Sequence, residues 1–238
     1  MAGTFIVIDG ADGAGKTTQT ERLIDAAQRR GLSATFIHFP SYQGTEGGRI
    51  VQRYLHGEFG DPATIHPTLA SIPYALDRFQ QAGHVRELIA THDLVVADRY
   101  VISNMAFQGA KLPKRGRQTF TDWCAALDYE VFGNPREDAV LFLSVPSALS
   151  EQLVLGRASA HQGRKRDLHE TNRRYQRAVL EEYQRLCAHY PHWRLINCSQ
   201  EEAGAVVPRP IDDIASEIAD LVFSHILKHM SVSEEVAA

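Results

Sequence analysis

The chain is expected to be an α/β protein, a doubly wound, five-stranded parallel sheet flanked by helices, and three observations lead there. Five apolar runs rich in β-branched and aromatic residues recur as TFIVID (4–9), ATFIHF (34–39), LVVAD (94–98), VLFLSV (140–145) and WRLIN (193–197). Most are continuous rather than alternating, the pattern of strands covered on both faces. Helix-like segments separate them, and strands alternating with helices build a parallel sheet. A glycine-rich stretch, GADGAGKTTQ (10–19), joins the first run to the first of those helices.

Taken in order, KTTQTERLIDAAQRR (16–30) runs into Gly31, a residue suited to the left-handed turn that ends a helix. Residues 66–91 are helical in pattern, yet Pro73 lies among them, so a helix either starts at Pro73 or kinks there. RDLHETNRRYQRAVLEEYQRLCAHY (166–190) is long and charge-laced. PIDDIASEIADLVFSHILKH (210–229) opens on proline and early acids, which complement a helix N-terminus. The last residues, MSVSEEVAA, should fray. This gives a single domain over 1–228 and a disordered tail at 229–238.

With 238 residues, 44% hydrophobic and 23% charged, the chain can bury one sizeable core. A formal net charge of −4 argues against a nucleic-acid polymer as partner, since such binding needs concentrated positive charge. No apolar run approaches the roughly 18 residues that suggest a membrane span. Cys124, Cys187 and Cys198 form no C-x-x-C pair, and no leader is apparent, so a reducing, cytoplasmic setting is expected. Cys187, His189 and His192 lack a second ligand pair at zinc spacing and are assigned to a surface loop.

Gly10, Gly15, Lys16 and Thr17 satisfy G-x-x-x-x-G-K-[ST] in full, with Ala11, Asp12, Gly13 and Ala14 between the glycines and Thr18 following. Backbone N–H groups of such a loop close around phosphate oxygens, the lysine reaches the β- and γ-phosphates, and the threonine hydroxyl serves Mg²⁺. ATP is expected rather than GTP, because no N-K-x-D segment is present to read guanine. Asp98 closes the third strand, where open α/β sheets bind ligands, and could be the acid on the Mg²⁺ side. Arg99 beside it can fork onto a second phosphate, or simply pair with Asp98 or another neighbour. Tyr74 and Arg78 are four residues apart, hence on one helical face, and can present a ring and a planar cation to a base and its phosphate. The bland alternative is a core aromatic beside a solvated arginine. LGRASAHQGRKRDLHE (155–170) supplies Arg157, Arg164, Lys165 and Arg166 among small residues, which suits a lid at about 156–170.

FIVIDGADGAGKTTQ, ALDRF, DRYVISNMAFQGAK and RKRDLHE resemble the thymidylate kinases, in that order and at fitting distances, over about residues 4–197. The resemblance implies transfer of the ATP γ-phosphoryl group onto dTMP, with Mg²⁺ as cofactor and a homodimer as assembly. It assigns Asp12 to the acceptor's 3′-hydroxyl or the magnesium shell, and Arg78 and Arg99 to the acceptor phosphate. Tyr74 stands where a stacking phenylalanine is usual. Ser103, Asn104 and Gln108 fall in the stretch that meets base and sugar. Phe107 replaces a common tyrosine, which removes a hydroxyl and one sugar contact. Arg157 and Arg164 would face the transferring group, and Asp167 with Glu170 the acceptor nucleoside. In FPSYQGTEGG, Ser41 and Tyr42 stand where an arginine is frequent, so that one phosphate contact is either absent or supplied by Arg49. FTDWCAALDYEVF (120–132) is apolar enough for a dimer face, or equally for core. Two rivals remain: a kinase for another nucleotide or deoxynucleoside, and an ATP-dependent switch protein.

Overall fold

The computed structural model describes residues 3–146, 148–150, 153 and 173–237. Strand β1 (Thr4–Gly10) is buried at every position because it lies in mid-sheet with helices over both faces. It pairs in parallel with β3 (Leu94–Asp98) on one side and β4 (Ala139–Ser144) on the other. With β2 (Ala34–His38) and β5 (Trp193–Asn197) outside them, the sheet has five parallel strands in the order β2-β3-β1-β4-β5. All five expected strands therefore form, with ends within a residue of the apolar runs.

Alternation along each strand sorts the apolar runs into two cores. Phe5, Val7, Val95, Val140 and Phe142 point to one face, packed with Tyr100, Met105 and Tyr183. Ile6, Ile8, Val96, Leu141 and Leu143 point to the other, packed with Leu23, Ile218 and Val222. Register brings Ile8 opposite Asp98 and Gly10 opposite Leu143, so the carboxyl ends of the three central strands share one edge. That edge carries the candidate site.

Helix α1 (Lys16–Arg29) follows β1, and Gly31 takes the expected positive φ of 77° after it. Helix α2 (Glu46–Leu55) is capped by the Thr45 hydroxyl, which accepts from the Gly48 N–H. Helix α3 spans Pro67–Thr91, so Pro67 rather than Pro73 starts it and Pro73 lies inside. Proline is well tolerated in a first helical turn, where amides lack intrahelical partners. Helix α4 (Val101–Gly109) and α5 (Lys114–Ala125) come next, the latter running into a π-helical stretch, Ala126–Val131. Helix α6 (Arg173–His189) and α7 (Ile211–Ala237) complete the covering layers. The helical backbone of α7 continues through the segment that was expected to fray.

An antiparallel hairpin, β6 (Ser199–Glu202) with β7 (Ala205–Pro208), was not foreseen. Its first strand reads SQEE, with neither β-branched residues nor alternation, and the pairing is set by a turn at Ala203 and Gly204, both at positive φ. Among the described residues, no helix is long and apolar enough to cross a membrane.

Candidate active site

The cradle is shaped by contacts that only glycine permits. A Cβ on Gly10 would lie 2.8 Å from the Leu143 carbonyl oxygen and 3.2 Å from the Ala14 Cβ. Gly13 and Gly15 adopt φ of 83° and 88°, a region costly for other residues. Space beside Gly15 is open, and α1 begins there without a side-chain cap, so its first amides face outward as an anion site. Thr17 is exposed on the first turn and Thr18 is half-buried. The Ser150 hydroxyl donates to the Asp12 carbonyl at 2.6 Å and braces the loop.

Lys16 is buried, its ammonium donating to the carbonyls of Gly10 and Ala11 at 3.1 Å each and lying 3.6 Å from Asp12. Burial and the neighbouring Arg99 push its pKa down, against the pull of Asp12, Asp98 and Asp9. An ammonium held among carbonyls and carboxylates in this way is ready for a phosphate to take their place.

Asp98 accepts from or pairs with His38, Nδ1 to Oδ2 at 3.3 Å, while its buried Oδ1 has no hydrogen-bond partner among the described residues. Burial raises its pKa, but the His38 hydrogen bond, Lys16 and Arg99 outweigh it and hold the carboxyl below its ordinary value. An ionised carboxylate with one buried, unbonded oxygen at the carboxyl end of β3 fits a hard cation such as Mg²⁺.

Arg99 has a left-handed backbone, φ 68°, an uncommon conformation outside glycine. Its Nη2 donates to Asp12 at 2.6 Å, its Nη1 lies 3.7 Å from Asp9, and its guanidinium stands 5.5 Å over the Phe107 ring. The Asp98–Arg99 pair that the sequence allowed is thus replaced by pairs to the cradle acids.

Arg78 is held by a partner from another element. Its Nε and Nη2 donate to the two oxygens of Asp128 at 2.7 and 2.9 Å, and both side chains are all but sealed from solvent. The pairing raises its already high pKa against the cost of burial. Two of its five N–H donors are therefore committed to a carboxylate from the π-helical stretch. Tyr74, one turn earlier, is half-buried with its ring edge-on to Tyr54 at 6.3 Å.

On α4, the Ser103 hydroxyl donates to buried Asp9 and so is not presented to a sugar. Asn104 donates to the Ser71 carbonyl at 3.2 Å. The Asn104 Oδ1 and the Gln108 Oε1, one turn apart, are buried without partners among the described residues. Phe107 meets Tyr183 edge-on at 6.1 Å. Arg157, Arg164, Asp167 and Glu170 lie outside the described residues.

Two further expectations resolve. Ser41 donates its N–H to Asp77 of α3, and the Thr45 hydroxyl binds the same carboxylate, so the 39–45 loop is tied to α3. Arg49 is half-exposed and engaged with Glu46 and the Gln43 carbonyl. Of the 120–132 segment, Phe120 and Cys124 belong to the core and Val131 is the well-exposed apolar residue. Asp9 and Tyr183 escaped the sequence reading. Asp9 abuts the phosphate motif at a strand's carboxyl end, which is a usable signal; Tyr183 is 174 residues away from it, and nothing local marks it.

The thymidylate kinase family model matches residues 8–207. The curated thymidylate kinase of Mycobacterium tuberculosis is 33% identical over 184 residues, 77% of this chain and 86% of that protein. The human thymidylate kinase is 32% identical over 147 residues, 61% of this chain and 63% of that protein. Among solved structures, a thymidylate kinase from Candida albicans aligns with a TM-score of 0.69 over 94% of this chain and 92% of that one, at 21% identity, a likeness of fold. A glycine cradle on the first strand of such a sheet, matched along most of its length by these relatives, places the chain in the thymidylate kinase family of phosphotransferases.

Proposed function

We propose that the chain transfers the γ-phosphoryl group of ATP to dTMP, giving dTDP and ADP. The observation that carries this reading is the placement of Asp12 between two cations from different elements, Lys16 at 3.6 Å and Arg99 at 2.6 Å. Asp12 is about half exposed and can move out. Phosphates entering from the two sides then meet Lys16 and Arg99 in its place, with the donor on the cradle and the acceptor on Arg99.

Transfer onto an already anionic phosphate oxygen needs alignment and charge neutralisation more than a strong base. Lys16 neutralises the donor and Arg99 grips the acceptor. Asp98 and Thr17 are the residues that would hold Mg²⁺, which when bound supplies further neutralisation of phosphate charge. Tyr74 offers a ring to the thymine, and Asn104 with Gln108 the side-chain amides for its polar edge. The family resemblance assigns Arg157 and Arg164 to the transferring group and Asp167 with Glu170 to the acceptor nucleoside. The exposed apolar stripe on α3 (Leu69, Ile72, Phe79) supports a homodimer, and three free cysteines support a reducing compartment such as the cytoplasm.

Magnesium-dependent ADP release measured with dTMP, dUMP, dCMP and thymidine tests the substrate. The expected result is a preference for dTMP in kcat/KM of about tenfold or more, a margin of roughly 1.4 kcal/mol. Equal use of the panel would shift the reading to a broader acceptor kinase, and ATP hydrolysis indifferent to every acceptor would favour a switch protein.

A further inference from the structure

Asp9 is the penultimate residue of β1 and has no solvent exposure, immediately before the first glycine of the cradle. Donors from three elements converge on its carboxylate. The Gly10 N–H donates at 2.7 Å, the Tyr183 hydroxyl of α6 at 3.1 Å, and the Ser103 hydroxyl of α4 also donates. The Arg99 Nη1 lies 3.7 Å away. Tyr183 is itself buried, with its ring stacked on Phe142 of β4 at 4.3 Å and 9°, so its hydroxyl cannot wander.

A sealed carboxylate is expensive unless its lone pairs and charge are met. Burial pushes the Asp9 pKa up; Arg99, Ser103, Lys16 and the Gly10 amide oppose that. Its arrangement differs from that of the other carboxylate on Arg99. Asp12 is wet, sits on a loop, and is shared with Lys16. Asp9 is dry and bonded to three elements. Arg99 hangs between the two, on a backbone already in a sparsely populated conformation. A guanidinium held only by Asp12 would lose its orientation whenever Asp12 left to admit an acceptor.

We propose that Asp9 is a positioning residue for the phosphoryl transfer: it fixes the inner side of the Arg99 guanidinium while Asp12 yields the outer side to the acceptor phosphate. Through Tyr183 it also ties that guanidinium to α6. The inference rests on the reading of Arg99 as the grip on the acceptor. The rival role for Asp9 is local, ordering Gly10 and hence the ATP cradle alone.

A double-mutant cycle on the full chain separates these possibilities, using Asp9→Asn, which preserves shape and removes charge, and Arg99→Ala. Asp9→Asn is expected to lower kcat about 100-fold, in the range for loss of a preorganised polar group, with the ATP KM changed less than about threefold. In the Arg99→Ala background the same substitution should change kcat by less than about threefold, because its effect runs through the missing guanidinium. Equal losses in both backgrounds, or a loss confined to the ATP KM, would overturn the proposal. Should Asp9→Asn not fold, Tyr183→Phe removes one donor and keeps the carboxylate. Its kcat loss, expected at about fivefold, must likewise vanish without Arg99, and a loss that persists there overturns the proposal too. The single variant Arg99→Ala tests the underlying reading separately: unchanged dTMP KM and kcat would remove the grip itself, whatever the coupling to Asp9.

Discussion

Arg78 shows how far a residue can be read from its neighbours in sequence. Its spacing from Tyr74 placed both on α3 correctly, but spacing says nothing of what approaches from 50 residues further on. Asp128 does, and takes two nitrogens of the guanidinium. Removing one member of a sealed ion pair strands the other charge, and that costs about 3–5 kcal/mol. Arg78→Ala should therefore lower the urea midpoint by that equivalent, and Arg78→Ala with Asp128→Ala should recover a good part of the loss. A variant with unaltered stability and a raised dTMP KM would instead return Arg78 to the acceptor phosphate. Lys16, Thr17 and the cradle glycines were legible because their roles depend on contiguous backbone geometry. The functions of Ser103 and Asp9 were not, since each is defined by the other across 94 residues.

At the level of elements, the pairing of α2 with α3 positions the loop beside Tyr74. Gly47 makes that pairing possible, for a Cβ there would stand 2.3 Å from the Asp77 nitrogen and 2.7 Å from its Cα. Neither atom can give way without moving α3. Asp77 in turn holds Ser41 and Thr45, so a shift of α3 is passed to the loop. Gly47→Ala should destabilise the fold by about 1–3 kcal/mol or more in chemical denaturation, with a raised dTMP KM, while an alanine at exposed, uncrowded Gly83 on the same α3 should be neutral or mildly stabilising. The strands were readable from their apolar runs because burial on both faces demands such runs. Helix α2 is glycine-bearing and short, and the β6–β7 hairpin is acidic and brief, so neither carries a periodicity strong enough to stand out.

For the whole molecule, α3 leaves Leu69, Ile72 and Phe79 substantially exposed along one side, with Val131 also open to solvent. Ile72 lies three positions after Leu69 and Phe79 seven after Ile72, spacings that share a face of a helix, and a stripe of that kind suits a matching copy. Phe79→Asp is expected to shift sedimentation from dimer to monomer with little change in thermal stability of the protomer. A wild-type chain that sediments as a monomer throughout the micromolar range would withdraw the assembly. By itself the sequence determined the sheet, its cradle and the phosphate chemistry, because continuous apolar runs and a glycine loop before a helix are local properties of the chain. Only the tertiary structure decided which cation faces outward, with Arg99 set between Asp9 and Asp12 and Arg78 withdrawn onto Asp128. Charges in a low-dielectric interior take their partners by proximity in space, and that proximity exists only once the strands and helices have packed.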